Sequence, residues 1–247
     1  MDCELYLIVD IGNTLAKFFL YNEDQWVLQE KVKLDLFVDK AEAIIADYPN
    51  IKAVIYTDVS HTVGTFFEKY SDSFPVLSVQ SQMHLPFKNN YESPESLGSD
   101  RMVLAAAACK NYPLTNVLII DLGTCITYDF LSSDEVYHGG AISPGFEMRY
   151  KALHHFTGNL PHLDWQAVDH PEGKTTHGAI HAGIYFGILD EIKARIEYYK
   201  SQYDSLTIIL TGGDANKLPK TLKNSIFAHS NFVAEGMLHL LKLNMNS

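Results

Sequence analysis

The sequence predicts two α/β domains, each built around a mixed β-sheet. Strands and helices alternate through both halves of the chain. The opening pattern of apolar strand, Asp-x-Gly turn and second strand returns after about half the length: LYLIVDIGNT near the start, NVLIIDLGTC in the middle. The 247 residues, 47% apolar and 20% charged, are enough to bury two cores of ordinary size.

The elements follow in order from pattern and punctuation. Leu5–Asp10 is a short apolar run that ends in the turn-forming cluster Asp-Ile-Gly-Asn-Thr, hence a strand. Ala16–Asn22 and Gln25–Leu34 continue as strands, with Asn22-Glu23-Asp24 as the hairpin turn. A helix over Asp39–Asp47 is stopped by Pro49. Ile51–Ser60 reads as a strand with its turn, Thr62–Tyr70 as a helix, and Pro75–Val79 as a strand. Gln80–Leu97 lacks periodicity and holds two prolines; a loop of that length is more often functional than idle. Asp100–Asn111 is an alanine-rich helix with Ser99 as its expected N-cap.

Pro113-Leu114-Thr115 marks the domain boundary, giving domains 1–114 and 115–247. Beyond it, Asn116–Leu131 supplies strand, turn and strand, and Val136–Ile142 a further strand. The Ser143-Pro144-Gly145 turn leads into a helix that ends near His155. A long helix spans His177–Tyr203, the strand Ser205–Leu210 runs into Thr-Gly-Gly-Asp, and the last helix covers Phe232–Lys242. On the long helix, Tyr185, Phe186, Ile188, Leu189, Ile192, Ile196 and Tyr199 cover more than one face. That calls for a second partner surface unless packing within the domain takes them all.

Charge excludes some roles. Thirty acidic against 19 basic residues give a net −11, which repels phosphate backbones and anionic lipid, so neither nucleic acid nor membrane is expected as a partner. No apolar run approaches the ~20 residues of a bilayer span, and the acidic N-terminus lacks the basic region of a signal peptide. The three cysteines, Cys3, Cys109 and Cys125, are widely spaced and form no CxxC pair, so a reducing cytoplasm is expected.

Three turns share one design, an apolar strand ending in small residues and an aspartate: Asp10–Thr14, Asp121–Thr124 and Thr211–Asp214. Glycine lets backbone amides approach a phosphate oxygen, a threonine hydroxyl can donate to it, and a carboxylate can hold Mg²⁺ or its water shell. One such turn is ordinary; three at strand ends, two in a duplicated frame, point to nucleotide binding. Neither GxxxxGK[ST] nor GxGxxG is present. Gly98-Ser99-Asp100-Arg101 opens the alanine-rich helix. Asp100 is either a residue favoured by the helix dipole or a general base, and Arg101, which gains nothing from that dipole, suits an anion. His177 and His181 stand i, i+4, yet no HExxH or third ligand accompanies them, so a metal site is not expected there. His154-His155 reads as a helix end and Cys125 as a small packing residue.

Taken together, these motifs resemble the type III pantothenate kinases nearly end to end. Asp-Ile-Gly-Asn-Thr resembles that family's first phosphate loop, Gly-Ser-Asp-Arg its G-x-D-R substrate motif, and IDLGTCITYDF its second phosphate motif. Tyr137–Gly145, Leu153–Pro161, GKTTHGAIHAG and TGGDA resemble its later blocks in the same order. Asp-x-Gly-x-Thr alone is shared with acetate and sugar kinases, chaperone ATPases and actins. The resemblance implies two duplicated ribonuclease-H-like, actin-like ATPase domains with ATP between them. It also implies transfer of the γ-phosphate to the pantothenate hydroxyl, the first step towards coenzyme A.

By the same resemblance Asp10, Ile11, Gly12, Asn13, Thr14, Leu15, Ala16 and Lys17 hold Mg-ATP, and Thr124 contacts ATP. Asp121 binds a monovalent cation, K⁺ or NH₄⁺. Tyr91, Gly98, Ser99, Asp100, Arg101 and Thr176 hold pantothenate, with Asp100 as the catalytic base. The family also implies a homodimer whose interface completes the substrate site. Thr175 stands where the family usually has Asn, Leu104 where Asn often follows G-x-D-R, and Cys125 where alanine is usual. The competing readings are a kinase for another small hydroxyl substrate, and a non-enzymatic accessory or regulatory protein of this fold. A substrate screen separates the first; the second should have lost a carboxylate, whereas Asp10, Asp100 and Asp121 are all present.

Overall fold

A computed structural model of the chain describes residues 4–22, 24–59, 63, 65–219, 222, 227–228 and 231–245. Cys3, Glu23 of the first hairpin turn, and residues 60–62 and 64 of the expected Ile51–Ser60 strand turn and Thr62–Tyr70 helix lie outside them. The chain forms two compact units, Met1–Pro113 with Asn231–Ser247, and Leu114–Ser230.

The first unit contains β1 (Leu5–Ile11), β2 (Leu15–Asn22), β3 (Gln25–Lys33), α1 (Phe37–Asp47), β4 (Ile51–Asp58), β5 (Val76–Ser78), the two-residue β6 (Lys88–Asn89) and α2 (Ser99–Asn111). Its sheet runs β3-β2-β1-β4-β5. The hairpin pairs β1–β2 and β2–β3 are antiparallel, and the crossover pairs β1–β4 and β4–β5 are parallel. The second unit contains β7 (Val117–Leu122), β8 (Cys125–Leu131), β9 (Val136–Pro144), α3 (Phe146–His155), α4 (Thr176–Gln202), β10 (Thr207–Thr211) and β11 (Phe227–Ala228). Its strands run β9-β8-β7-β10-β11, with antiparallel hairpins and parallel crossovers at the corresponding places. The duplicated strand–turn–strand of the sequence is therefore the start of a duplicated fold, the mixed α/β arrangement expected.

Burial follows position in the sheet. The central β1 is buried at every residue but Tyr6, which reads as a continuous apolar run because both faces are covered. The edge strand β3 has no buried residue. On one face, Leu7, Val9, Phe18, Leu20, Phe37, Ile44 and Phe67 form one apolar cluster. The last helix, α5 (Phe232–Met245), corrects the expected division at 114/115: it belongs to the first unit, not the second. Its Gly236 explains the fit, since a Cβ there would lie 2.2 Å from the Val103 carbonyl and 3.0 Å from the Ala107 Cβ. An alanine-rich α2, buried without interruption from Arg101 to Cys109, permits that approach.

Three further expectations are corrected. The described part of the expected Thr62–Tyr70 helix is a 3₁₀ turn over Phe66–Tyr70, where Phe66 and Phe67 pack edge-on against Phe37; tertiary contacts of the aromatic rings override helical continuation there. Helix α2 begins at Ser99 itself, so Gly98 and not Ser99 occupies the N-cap position, with no side-chain cap. The apolar surplus on α4 is absorbed within the second unit: Tyr185, Ile188, Leu189, Ile192 and Ile196 are buried in its core, and Phe186 and Tyr199 pack against it. The helix therefore requires no external surface to cover these seven residues.

Candidate active site

The first unit shapes a carboxylate at the end of its central strand. Asp10 is 9% exposed. The Thr57 hydroxyl donates to Asp10 Oδ1 at 3.0 Å, and Lys17 Nζ donates to Oδ2 at 2.9 Å. Both neighbours follow from register: Lys17 faces Asp10 across β2, and Thr57 faces it across β4. The turn between β1 and β2 is closed by the Gly12 amide, which donates to the Leu15 carbonyl at 3.0 Å. That amide is thus committed to the turn, and Asn13 and Thr14 stand exposed at its tip. Asp10, Ile11, Gly12, Asn13, Thr14, Leu15, Ala16 and Lys17 form one continuous strand–turn–strand segment.

The same unit brings together Tyr91, Gly98, Ser99, Asp100 and Arg101. The Arg101 guanidinium is buried in a residue only 5% exposed and lies over the Tyr91 ring at 5.5 Å from its centroid. Asp100 Oδ1 accepts the Arg101 amide at 2.9 Å. A Cβ on Gly98 would fall 2.4 Å from that same oxygen, so the glycine of the motif is needed for space and not for backbone conformation. Burial pushes the Asp100 carboxyl above the ordinary aspartate value; the charge of Asp10 pushes the same way, while the Arg101 amide and guanidinium pull it down. A cavity of about 780 Å³ opens beside this segment, with Tyr56, Asp58, Ser78, Gly98, Ser99 and Met102 in its wall. Asp100, Arg101 and Tyr91 are not among its lining residues.

The second unit repeats the carboxylate with different neighbours. Asp121 faces Thr127 across β8 and Thr211 across β10, the positions that Lys17 and Thr57 hold beside Asp10. The turn after β7 is closed by the Gly123 amide on the Cys125 carbonyl, 2.9 Å, and Thr124 is exposed. Two glycines pack against it. Gly145 donates its amide to the Thr124 carbonyl at 3.0 Å, and a Cβ there would lie 2.4 Å from the Gly123 carbonyl. Gly212 has φ +95°, and a Cβ there would lie 2.3 Å from Asp121 Oδ1. The Ser-Pro-Gly and Thr-Gly-Gly-Asp turns are thereby tied to the Asp121 turn. Thr176 is the first residue of α4; Thr175 caps that helix, its hydroxyl accepting the Gly178 amide at 3.1 Å.

The remaining sequence candidates have structural partners. His181 is buried, with Nδ1 2.8 Å from the Tyr150 hydroxyl, and among the described residues no group of three His, Cys, Asp or Glu is placed to hold a metal. His154 and His155 do close α3, and the ring of His154 bonds the Leu160 carbonyl. Among the described residues no helix is long and apolar enough to cross a membrane. Sequence reasoning missed Thr57 and Thr211. The signal was present: the strands β4 and β10, which flank the two aspartate-bearing strands, both reach a threonine at the register position of the aspartate.

A family model described as type III pantothenate kinase matches residues 6–198. A Christiangramia forsetii protein named type III pantothenate kinase is 44% identical over 96% of this chain and 98% of its own. Proteins of the same name from Flavobacterium psychrophilum and Bacteroides fragilis are 39% and 40% identical, each over 96% of this chain and 98% of their own. Among solved structures, a Campylobacter jejuni protein described as a Baf family transcriptional activator superposes with TM-score 0.63 at 22% identity, covering 98% of this chain and 100% of that one. A glucokinase from an Antarctic psychrotroph gives TM-score 0.52 at 12% identity, with full coverage of both chains. These two likenesses bear on the fold alone; with the duplicated sheets they fit the duplicated ribonuclease-H-like α/β fold expected.

Proposed function

The chain belongs to the type III pantothenate kinase family, and from that premise we propose how its residues divide the work. The protein is a kinase that phosphorylates pantothenate with ATP, giving 4'-phosphopantothenate at the first step of coenzyme A biosynthesis. Asp10 to Lys17 hold Mg-ATP, and Thr124 contacts the nucleotide. Tyr91, Gly98, Ser99, Arg101 and Thr176 bind pantothenate, and Asp100 is the base. The observation that carries this reading is the Gly98–Arg101 segment: a buried guanidinium suited to a carboxylate adjoins an aspartate whose carboxyl is raised by burial.

Asp10 fits a divalent cation: it offers hard carboxylate oxygens at a strand end, and Lys17, its partner on Oδ2, has a side chain 45% exposed and able to move off. When bound, Mg²⁺ neutralises charge on the transferring phosphoryl group. Residues of the chain do the rest. Arg101 draws the pantothenate carboxylate and so orients the primary hydroxyl. Asp100 takes the hydroxyl proton as the oxygen bonds to the γ-phosphorus, and ADP leaves. Release of ADP from pantothenate, Mg-ATP and K⁺ should be abolished when pantothenate is omitted. Undiminished release without it, or greater turnover on glucose or N-acetylmannosamine than on pantothenate, would overturn the substrate assignment.

We also infer a homodimer, on family grounds, since the apolar surplus of α4 no longer argues for one. Light scattering at micromolar concentration should give twice the 27.8 kDa chain mass; a monomeric mass there refutes it.

A further inference from the structure

We propose that Thr57 is a positioning residue that holds the Asp10 carboxylate in its metal-binding orientation, an inference that rests on the reading of Asp10 given above. Thr57 is fully buried. Its hydroxyl oxygen accepts the Ile11 amide at 3.3 Å, so its one proton is directed to Asp10 Oδ1, 3.0 Å away. The donor direction is therefore fixed, and solvent does not reach the hydroxyl to replace it.

The two partners of Asp10 differ in permanence. Lys17 is half-exposed and flexible, and an incoming anionic phosphate competes with the carboxylate for its ammonium. A buried hydroxyl bonded to a charged acceptor outweighs such a half-exposed ion pair. With Lys17 drawn away, Thr57 remains to fix the plane of the carboxylate and keep Oδ2 presented. The position also belongs to the duplicated design, for Thr211 stands in the same register relation to Asp121.

The test is calorimetry of ADP binding to the full chain with and without Mg²⁺, alongside steady-state kinetics. Thr57→Val keeps shape and removes the donor; Thr57→Ala removes it with less bulk, should the valine disturb folding; Thr57→Ser retains it. Both apolar variants should weaken Mg-ADP binding about tenfold, the scale of a lost hydrogen bond to a charged group. They should raise the KM for Mg-ATP by a similar factor, leave metal-free ADP binding within about twofold, and lower kcat less than KM rises. Thr57→Ser should lie within about threefold of wild type throughout. Equal weakening with and without Mg²⁺, no weakening at all, or a serine variant as impaired as the alanine one would overturn the proposal. Asp10→Asn separates the two levels. If it binds Mg-ADP as wild type does, the reading of Asp10 falls and this inference with it. If it loses the Mg²⁺-dependent affinity while Thr57→Val does not, only the role of Thr57 falls.

Discussion

Asp100→Asn should lower kcat on pantothenate by roughly 10²-fold or more while leaving ATP affinity near wild type, because a positioned general base typically contributes ~10²–10⁴-fold. The substitution keeps size and the capacity to accept the Arg101 amide, and removes the proton acceptor together with its charge. The loss falls towards the lower end of that range if the transition state is loose and the hydroxyl proton moves late. On the proposed division of roles Asp10 and Asp121 are less suited, since both would be occupied by cations. A variant that keeps more than about a tenth of wild-type kcat would make Asp100 a positioning residue.

The raised carboxyl has consequences in pH. If Asp100 is the base proposed above, its ionised form is the active one, and the acid limb of kcat/KM should fall at a pH above that expected of an ordinary aspartate, whose reference value is 3.8. Stability runs the other way. A carboxyl raised in the fold favours the folded state while it is protonated, fully below the unfolded value, and that contribution is lost as pH rises through the folded value. At neutral pH the ionised Asp100 therefore opposes folding. Asp100→Asn should melt higher than wild type at pH 7, with the gap closing as pH drops below the ordinary carboxylate range. Lower activity together with higher stability is the pattern of a functional residue held at a cost to the fold.

Much of this was legible in the sequence because period and punctuation are local. LYLIVDIGNT and NVLIIDLGTC each commit an apolar strand to end at an aspartate and a tight turn, and the two sheets repeat one strand order around them. Gly98-Ser99-Asp100-Arg101 was legible as a cluster because its members are adjacent. What escaped was set by distant partners. Thr57 lies 47 residues from Asp10, and only parallel pairing of β1 with β4 puts its hydroxyl on that carboxylate. The last helix could not be assigned from chain order, because its place depends on Gly236 meeting the alanine face of α2. The faces of α4 misled for a related reason: counting apolar residues on one helix does not reveal how much core surrounds it.

Asp121 is the residue we expect to govern the response to monovalent cations. In the duplicated frame, the neighbour that faces Asp10 is a lysine, and the one that faces Asp121 is Thr127. The register position that carries a lysine beside the first carboxylate thus carries a threonine beside the second. The Thr127 hydroxyl is buried and has no hydrogen-bond partner among the described residues, an oxygen donor beside the carboxylate position. Gly212 packs close to the same carboxylate, with only 2.3 Å between Asp121 Oδ1 and any added Cβ. A carboxylate and a spare hydroxyl are hard oxygen donors, the set that suits K⁺ more than a softer transition metal. An ionised carboxylate close to the phosphates of ATP repels them, and at an effective dielectric of about 20 two unit charges 4 Å apart cost about 4 kcal/mol, enough to weaken binding by roughly a thousandfold if unrelieved. A bound monovalent cation relieves that repulsion without the charge density that would compete with Mg²⁺. Replacing K⁺ by Na⁺ at constant ionic strength should therefore collapse turnover, and Asp121→Ala should be inactive or nearly so in K⁺. Titrating K⁺ into the wild type should sharpen ATP binding, and Asp121→Ala should show no such response. Undiminished turnover in Na⁺ alone, or a wild-type K⁺ response in Asp121→Ala, would remove the cation from Asp121.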